Sequence, residues 1–175
     1  MPHPTTMCPP HYPQSQSVHS RVGVVRANGA FSVIALGLIS DGETILIIEG
    51  RTIDRPSMYS VQVGEGLHVE LPHDTTGGDD LDSRLWQYLN HSCDPNAAIV
   101  DRALIALRPI ARGDAITFDY NTTEYDMSSQ FTCACGSCSG RVIRGFKHLS
   151  PSEQLALSPR LAPYLRSKLL VDGVP

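Results

Sequence analysis

Three of the chain's five cysteines fall within six residues, Cys133-Ala134-Cys135-Gly136-Ser137-Cys138. Gly136 and Ser137 allow the backbone to fold back, so the three sulfurs can point at a common centre. A tetrahedral zinc site needs four such ligands at Zn–S distances of about 2.3 Å. The fourth must come from elsewhere, and outside the N-terminal tail Cys93 is the remaining candidate. The other reading of the same residues is a set of inert buried thiols. On its own the cluster points to zinc and says nothing of catalysis.

A second dense polar segment, Asn90-His91-Ser92-Cys93-Asp94-Pro95-Asn96, lies between the apolar stretches 85–89 and 97–100. Polar side chains held between buried stretches must find hydrogen-bond partners. An Asx-Pro surface turn would account for Asp94-Pro95-Asn96 but not for Asn90, His91 or Cys93. About twenty residues later comes Gly113-Asp114-Ala115-Ile116-Thr117-Phe118-Asp119-Tyr120-Asn121. Tyr120 ends an expected strand and precedes a polar loop, a place where a reactive side chain is both rigid and accessible.

The elements that would position these residues are mostly short strands. Residues 21–26, 31–36, 44–49, 59–63 and 67–71 are β-branched or alternating, with turn signals at Asn28-Gly29, Asp41-Gly42, Gly50 and Gly64-Glu65-Gly66. Strands are also expected at 103–107 and 115–120, and a short helix at 81–89. Ser150-Pro151-Ser152-Glu153 carries a capping serine, a proline for the first helical position and a returning glutamate. Ser158-Pro159 repeats that start signal, and Leu161, Tyr164, Leu165 and Leu169 share one helical face. The sequence therefore predicts a mostly β (α+β) body with a helical C-terminus.

Composition bounds the function. The 175 residues suit one domain; 41% are hydrophobic and 18% charged, with a net charge of −4. No basic stripe marks a nucleic-acid binder, and the acidic run Asp74, Asp79, Asp80 and Asp82 reads as a solvated loop. Residues 1–18 read as a disordered tail, in which His3, Cys8 and His11 are a weaker metal set than the downstream cysteines. The first twenty residues lack an apolar signal core, and the run 45–48 is too short to cross a bilayer. An intracellular location, nuclear or cytoplasmic, is the expectation, with cysteines reduced.

Taken in order, NHSCDPN, GDAITFDYN and CACGSCSG resemble the consecutive signatures of SET-domain protein-lysine methyltransferases that carry a post-SET zinc element. The stretch 35–45 resembles that family's first conserved block, and the likeness covers roughly residues 22–146. It implies the SET β-clip fold of small curved sheets around a pseudoknot-like core. The corresponding division is a SET domain over 19–130, a post-SET zinc segment over 131–148 and a helical extension over 149–175. It implies S-adenosylmethionine as methyl donor, structural zinc on Cys93, Cys133, Cys135 and Cys138, and as partner a protein with an exposed lysine, such as a histone tail. No nucleic-acid or membrane partner is implied, and a monomer is expected.

By the same resemblance Tyr120 is the catalytic tyrosine. Phe118 stands where Phe or Tyr helps set the number of methyl groups, and Tyr59 matches an aromatic of the lysine channel. Asn90 and His91 hold the cofactor-contacting places, and Phe131 is placed to pack on the adenine. The family's Gly-x-Gly cofactor loop falls on Ala30-Phe31-Ser32 here, so Phe31 and Ser32 take its cofactor positions without its glycines. Two residues separate the second and third cysteines of the cluster, where the family commonly has four.

Two other readings share these features. One is a SET fold that holds cofactor or peptide without turnover, which the altered Gly-x-Gly place favours. The other is a zinc-stabilised interaction domain with no affinity for the methyl donor. A doubly wound nucleotide-type methyltransferase is disfavoured, because no strand–GxGxxG–helix unit is present.

Overall fold

The short alternating segments pair into several small sheets of two or three strands. A computed structural model describes residues 21–27, 29–71 and 84–169. The tail 1–18 with its candidate ligands, Asn28, the acidic loop 73–80, Leu81 and Asp82 lie outside the described residues. β1 (Val22–Ala27) and β2 (Ala30–Ala35) pair as an antiparallel hairpin. β3 (Thr44–Ile47), β8 (Ala97–Val100) and β9 (Ala103–Ala106) form a sheet of order β3-β9-β8. β4 (Arg51–Ile53), β5 (Val61–Gly64) and β6 (Leu67–Glu70) form another of order β4-β6-β5.

The remaining pairs are two residues long. β7 (Asn90–His91) runs parallel to β10 (Thr117–Phe118), and β11 (Phe131–Thr132) is antiparallel to β12 (Val142–Ile143). A parallel pair needs a long connection. Here it is the β8–β9 hairpin, whose return segment also pairs with β2: Ile116 N–H donates to Val33 O and Ala35 N–H to Asp114 O. This interlocking of the 90–96 and 113–122 segments is the crossing that the pseudoknot-like expectation describes.

One apolar core joins the sheets. Val33, Ile45, Leu46, Ile48, Val69, Leu104, Ile110 and Ile116 are all buried. In β2 only alternate residues point inward, whereas Ala97, Ala98 and Ile99 of β8 are buried in succession. An edge strand covered on both faces loses its period-two pattern, which is why 97–100 reads as a plain apolar run rather than a strand.

Two expectations change in the structure. Of the expected 81–89 helix, Arg84 is helical and the residues after it tighten into a 3₁₀ turn over Leu85–Tyr88. The indole N–H of Trp86 donates to Glu49 O, and Leu89 is already extended so that Asn90 can enter its pairing. At the C-terminus, α1 (Pro151–Leu157) has the full capping box of Ser150 and Glu153. The second start signal yields only a 3₁₀ turn over Ser158–Arg160, and α2 runs over Pro163–Leu169. Proline at 163 disfavours a helical residue before it and starts a new helix well.

The helical extension packs on the β body rather than standing apart. Leu161 and Leu165 bury against Phe146, and Ala162 N–H donates to Thr122 O. The Tyr164 hydroxyl lies 2.8 Å from both Gln62 O and Thr123 O. Among the described residues, no helix is long and apolar enough to cross a membrane.

Replacing fully buried Leu165 by Ala should lower unfolding free energy by about 2–5 kcal/mol. Leu155→Ala, at a position 67% exposed, should change it by less than about 0.5 kcal/mol. Urea denaturation of the two variants beside the parent checks both outcomes.

Candidate functional site

The site begins with the β7–β10 pair. Pairing Asn90 with Thr117 and His91 with Phe118 sets the two polar segments side by side. Asn96 locks the register from its side chain: Nδ2 donates to Ala115 O, and Oδ1 accepts from Thr117 N–H. Asp119 then caps a 3₁₀ turn over Tyr120–Thr122, accepting from Asn121 N–H and from the Asn121 amide.

His91 is buried and held from both sides. Tyr120 N–H donates to its Nδ1 at 3.2 Å, and its Nε2 lies 3.4 Å from Cys93 Sγ. Burial lowers its pKa, partly offset by Asp119, whose Oδ1 is 3.6 Å from Nδ1. In the neutral ring, an Nδ1 that accepts leaves the proton on Nε2, which then donates toward the Cys93 sulfur.

Cys93, Cys133, Cys135 and Cys138 converge, with all four Sγ atoms within 4.8 Å of one another. The Cys93–Cys133 and Cys135–Cys138 Sγ separations are 3.9 Å. A tetrahedron with Zn–S of about 2.3 Å has an edge of about 3.8 Å, so the donor set fits that ion. The β11–β12 pair closes the base of the loop, and Gly136 turns it at φ +79°. Cys93 N–H points at Cys135 Sγ and Cys135 N–H at Cys133 Sγ. The Cys93 N–H is the main cause that brings the Cys135 thiol down to about 6, while burial pushes Cys93 and Cys133 up. Arg141 pairs with Glu153 and ties the cysteine segment to α1.

Tyr120 sits at the centre of an aromatic group. His91 and Phe131 meet it edge-on, with centroids at 5.3 and 5.9 Å, and Phe118 lies at 4.8 Å. Phe131 also meets the His91 ring edge-on at 5.7 Å. The Tyr120 hydroxyl donates to Leu89 O at 2.7 Å. Burial, helped by the charge of Glu124, raises its pKa, so it remains a neutral phenol at physiological pH. With Tyr59, Phe118, Leu89 and Trp86 it lines a cleft. Tyr59, 59% exposed, also borders a neighbouring cleft with Phe31 and Tyr88.

The Gly-x-Gly place is built differently from a glycine loop. Ala30, Phe31 and Ser32 are strand residues of β2, and Asn90 Nδ2 donates to both Phe31 O and Ser32 Oγ. Among the described residues, Asn90 Oδ1 accepts no hydrogen bond. Phe31 is 44% exposed, with its ring 5.0 Å from Tyr88. The structure thus brings Phe31, Ser32, Asn90, His91, Phe131 and Tyr120 into one chain of contacts, with Tyr59 and Phe118 on its cleft side.

One cleft residue was not singled out in the sequence. Glu124, 7% exposed, stands at the cleft beside Tyr120, and its Oε1 accepts from Gln62 N–H at 2.8 Å. In Thr122-Thr123-Glu124 it reads as part of a polar loop, and only the packing of β5 and α2 over that loop reveals its burial.

A sequence profile of the SET domain matches residues 30–121, just over half of the chain. The chain belongs to the SET-domain family. Among curated relatives, the methyltransferase flvH of Aspergillus flavus is 35% identical over 118 residues, covering 62% of this chain and 59% of that one. An H3 lysine-36 specific histone-lysine N-methyltransferase of Candida albicans is 44% identical over 135 residues, covering 67% of this chain and 16% of that one. The chain thus spans less than two thirds of the length of either relative. Among solved structures, KRYPTONITE in complex with mCHH DNA, an H3(1-15) peptide and SAH has a TM-score of 0.50 at 20% identity. The match covers 69% of this chain and 28% of that one, and it shows a shared fold.

If the four sulfurs hold zinc, the purified SET domain should contain a single zinc ion per chain by atomic absorption. Cys93→Ser should weaken retention against a chelator at least as much as the 10–100-fold loss typical of an outer-shell change. It should also expose residues 131–148 to limited proteolysis.

Proposed function

We propose that this SET domain transfers the methyl group of S-adenosylmethionine to the ε-amine of a lysine in a protein substrate, a histone tail or another basic protein. The observation that carries the reading is the Tyr120 phenol, fixed by Leu89 O at the meeting of two environments. On one side is the cleft of Tyr59 and Phe118; on the other are Asn90, His91 and Phe131. The unused Asn90 Oδ1 and the half-buried Phe131 face suit a ligand with a charged amino-acid end and an aromatic base. When bound, that ligand supplies an electrophilic sulfonium methyl.

The protein's own task is to present a neutral amine in line with it. Free lysine titrates near 10.4 and is almost fully protonated at neutral pH. Tyr59, Phe118 and Trp86 make the cleft walls aromatic, and desolvation there penalises the ammonium, as does a nearby positive sulfonium. Tyr120 donates its hydroxyl hydrogen bond to Leu89 O, which leaves its oxygen lone pairs to accept from the amine and aim the amine's own lone pair. Orientation of this kind supplies much of a barrier reduction.

In this reading zinc on Cys93, Cys133, Cys135 and Cys138 is structural. It holds the post-SET segment 131–148 so that Phe131 stays against His91 and Tyr120. Residues 19–130 are the SET domain proper, 149–175 are its supporting extension, and nucleus and cytoplasm both suit the activity. A binding module with weak turnover is the alternative, motivated by Ala30 and Ser32 in place of glycines. The hydrogen bond from Asn90 to Ser32 Oγ speaks for a rebuilt loop instead.

Incubated with labelled cofactor and mixed basic proteins, the purified chain should place label on lysine. Tyr120→Phe should reduce incorporation by about 100-fold or more, and mass spectrometry of the products reads site and methyl count. Label-free proteins together with full cofactor affinity would select the binding module.

A further inference from the structure

We propose that Glu124 accepts the proton of the substrate ammonium in the cleft beside Tyr120. This role rests on the lysine-methylating reading above and adds to it the group that makes the amine nucleophilic.

Glu124 is the carboxylate among the cleft's described lining residues, which are otherwise aromatic, aliphatic, hydroxyl, amide and thioether side chains. Burying a carboxylate is costly unless it is paired or hydrogen-bonded. Here the compensation is half complete: Oε1 accepts from Gln62 N–H, while Oε2 takes no hydrogen bond among the described residues. No described cation pairs with Glu124. Oε2 is not among the buried polar atoms left without a partner, so it stays reachable at the cleft that Glu124 lines. A cleft shaped by Tyr59, Phe118 and Tyr120 to admit a lysine places a cationic guest beside an open carboxylate oxygen, and that guest completes its partners.

The backbone fixes this side chain rigidly. Glu124 N–H donates to Tyr120 O, and Phe146 N–H donates to Glu124 O. Gln62 grips the next residue through Tyr125 N–H, and Tyr164 spans Gln62 O and Thr123 O. Positioning by three separate elements is what a proton acceptor in a cleft requires.

The step balances. The ammonium N–H bond breaks with its electron pair left on nitrogen, and the proton passes to the free Glu124 oxygen. The nitrogen pair then forms the N–CH₃ bond as the S–CH₃ bond of a sulfonium donor breaks toward sulfur, giving a methylammonium and a neutral thioether. The Glu124 proton leaves to water through the cleft mouth before the next turnover.

Burial lifts the Glu124 carboxyl to about 7 against the opposing pull of Gln62 N–H. The titratable groups that face it are the Tyr120 phenol on its own turn and Tyr164 from α2, both raised above their usual range, chiefly by burial. Tyr59 shares the cleft from the 57–60 loop. The Lys168–Glu65 pair lies farther out with Lys168 over the Tyr125 ring, and Asp126 is engaged by Lys147 and His148. A limb near pH 7 in the rate profile is therefore the signature expected of Glu124, well separated from free lysine near 10.4, and its loss in E124Q tells it from a cysteine or histidine limb.

The experiment compares the full chain with Glu124→Gln on a lysine peptide that the parent methylates, following kcat/KM across the neutral range. Affinity for S-adenosylhomocysteine and melting temperature are measured in parallel. For the parent, kcat/KM should rise through about pH 7; in E124Q that limb should vanish and the rate fall about 100-fold, with S-adenosylhomocysteine affinity unchanged. A carboxyl raised in the folded state stabilises it only while protonated, so stability is lost as pH rises through about 7. E124Q should accordingly melt higher than the parent in alkaline buffer and lose that advantage in acid. An E124Q protein with the parent's rate and profile overturns the role of Glu124 and leaves the methyltransferase reading standing. A parent that binds S-adenosylhomocysteine but methylates no lysine overturns both. Should E124Q not fold, Glu124→Asp decides: a displaced limb at reduced rate supports the role, and an unchanged profile overturns it.

Discussion

Two residues of parallel pairing, Asn90–His91 against Thr117–Phe118, hold the rest of the structure in relation. Such a short ladder contributes little by itself, and its strength comes from side chains that repeat its register. Asn96 bridges Ala115 and Thr117, and the His91 ring accepts from the backbone of Tyr120. If the register slipped by one residue, Phe118 and Thr117 would exchange faces. His91 would lose Tyr120, and Cys93 would leave the other sulfurs. The site therefore depends on a contact between residues 27 apart in sequence.

That contact also couples the cysteine centre to the cleft without a long relay. His91 touches Cys93 through one ring nitrogen and the Tyr120 backbone through the other. Phe131, just ahead of Cys133, leans on both rings. The cysteine segment is anchored in turn by Arg141 on Glu153, the capping-box partner of Ser150 in α1. Strain at any of these points is felt at the phenol, because buried ring packing has little slack.

The cysteine ligands, the Asn-His segment and the terminal tyrosine were legible in the sequence because their chemistry is carried by residue type and spacing. The hairpin strands and the capping box were legible from local turn and cap signals. Strands of two residues were not, since Asn90–His91 and Phe131–Thr132 are strands only by virtue of a distant partner. The run 97–100 hid its strand by being buried on both faces. The start of α2 was misread because Ser158-Pro159 is a good local signal, overridden by Pro163 four residues later. Glu124 was invisible for the same kind of reason: its neighbours are polar, and its burial is made by Gln62 and Tyr164, far away along the chain.

Tyr164 reaches back from α2 to the β body. Its hydroxyl rests between two backbone carbonyls, Gln62 O on β5 and Thr123 O beside the cleft, and it belongs to the C-terminal helix. The segment outlined by family similarity ends at residue 121, some forty positions before this tyrosine. A fragment trimmed to that outline would leave Gln62 O without this partner and would lack Glu124 together with the Phe146, Leu161 and Leu165 cluster. The recognisable block is thus shorter than the body that the C-terminal packing completes.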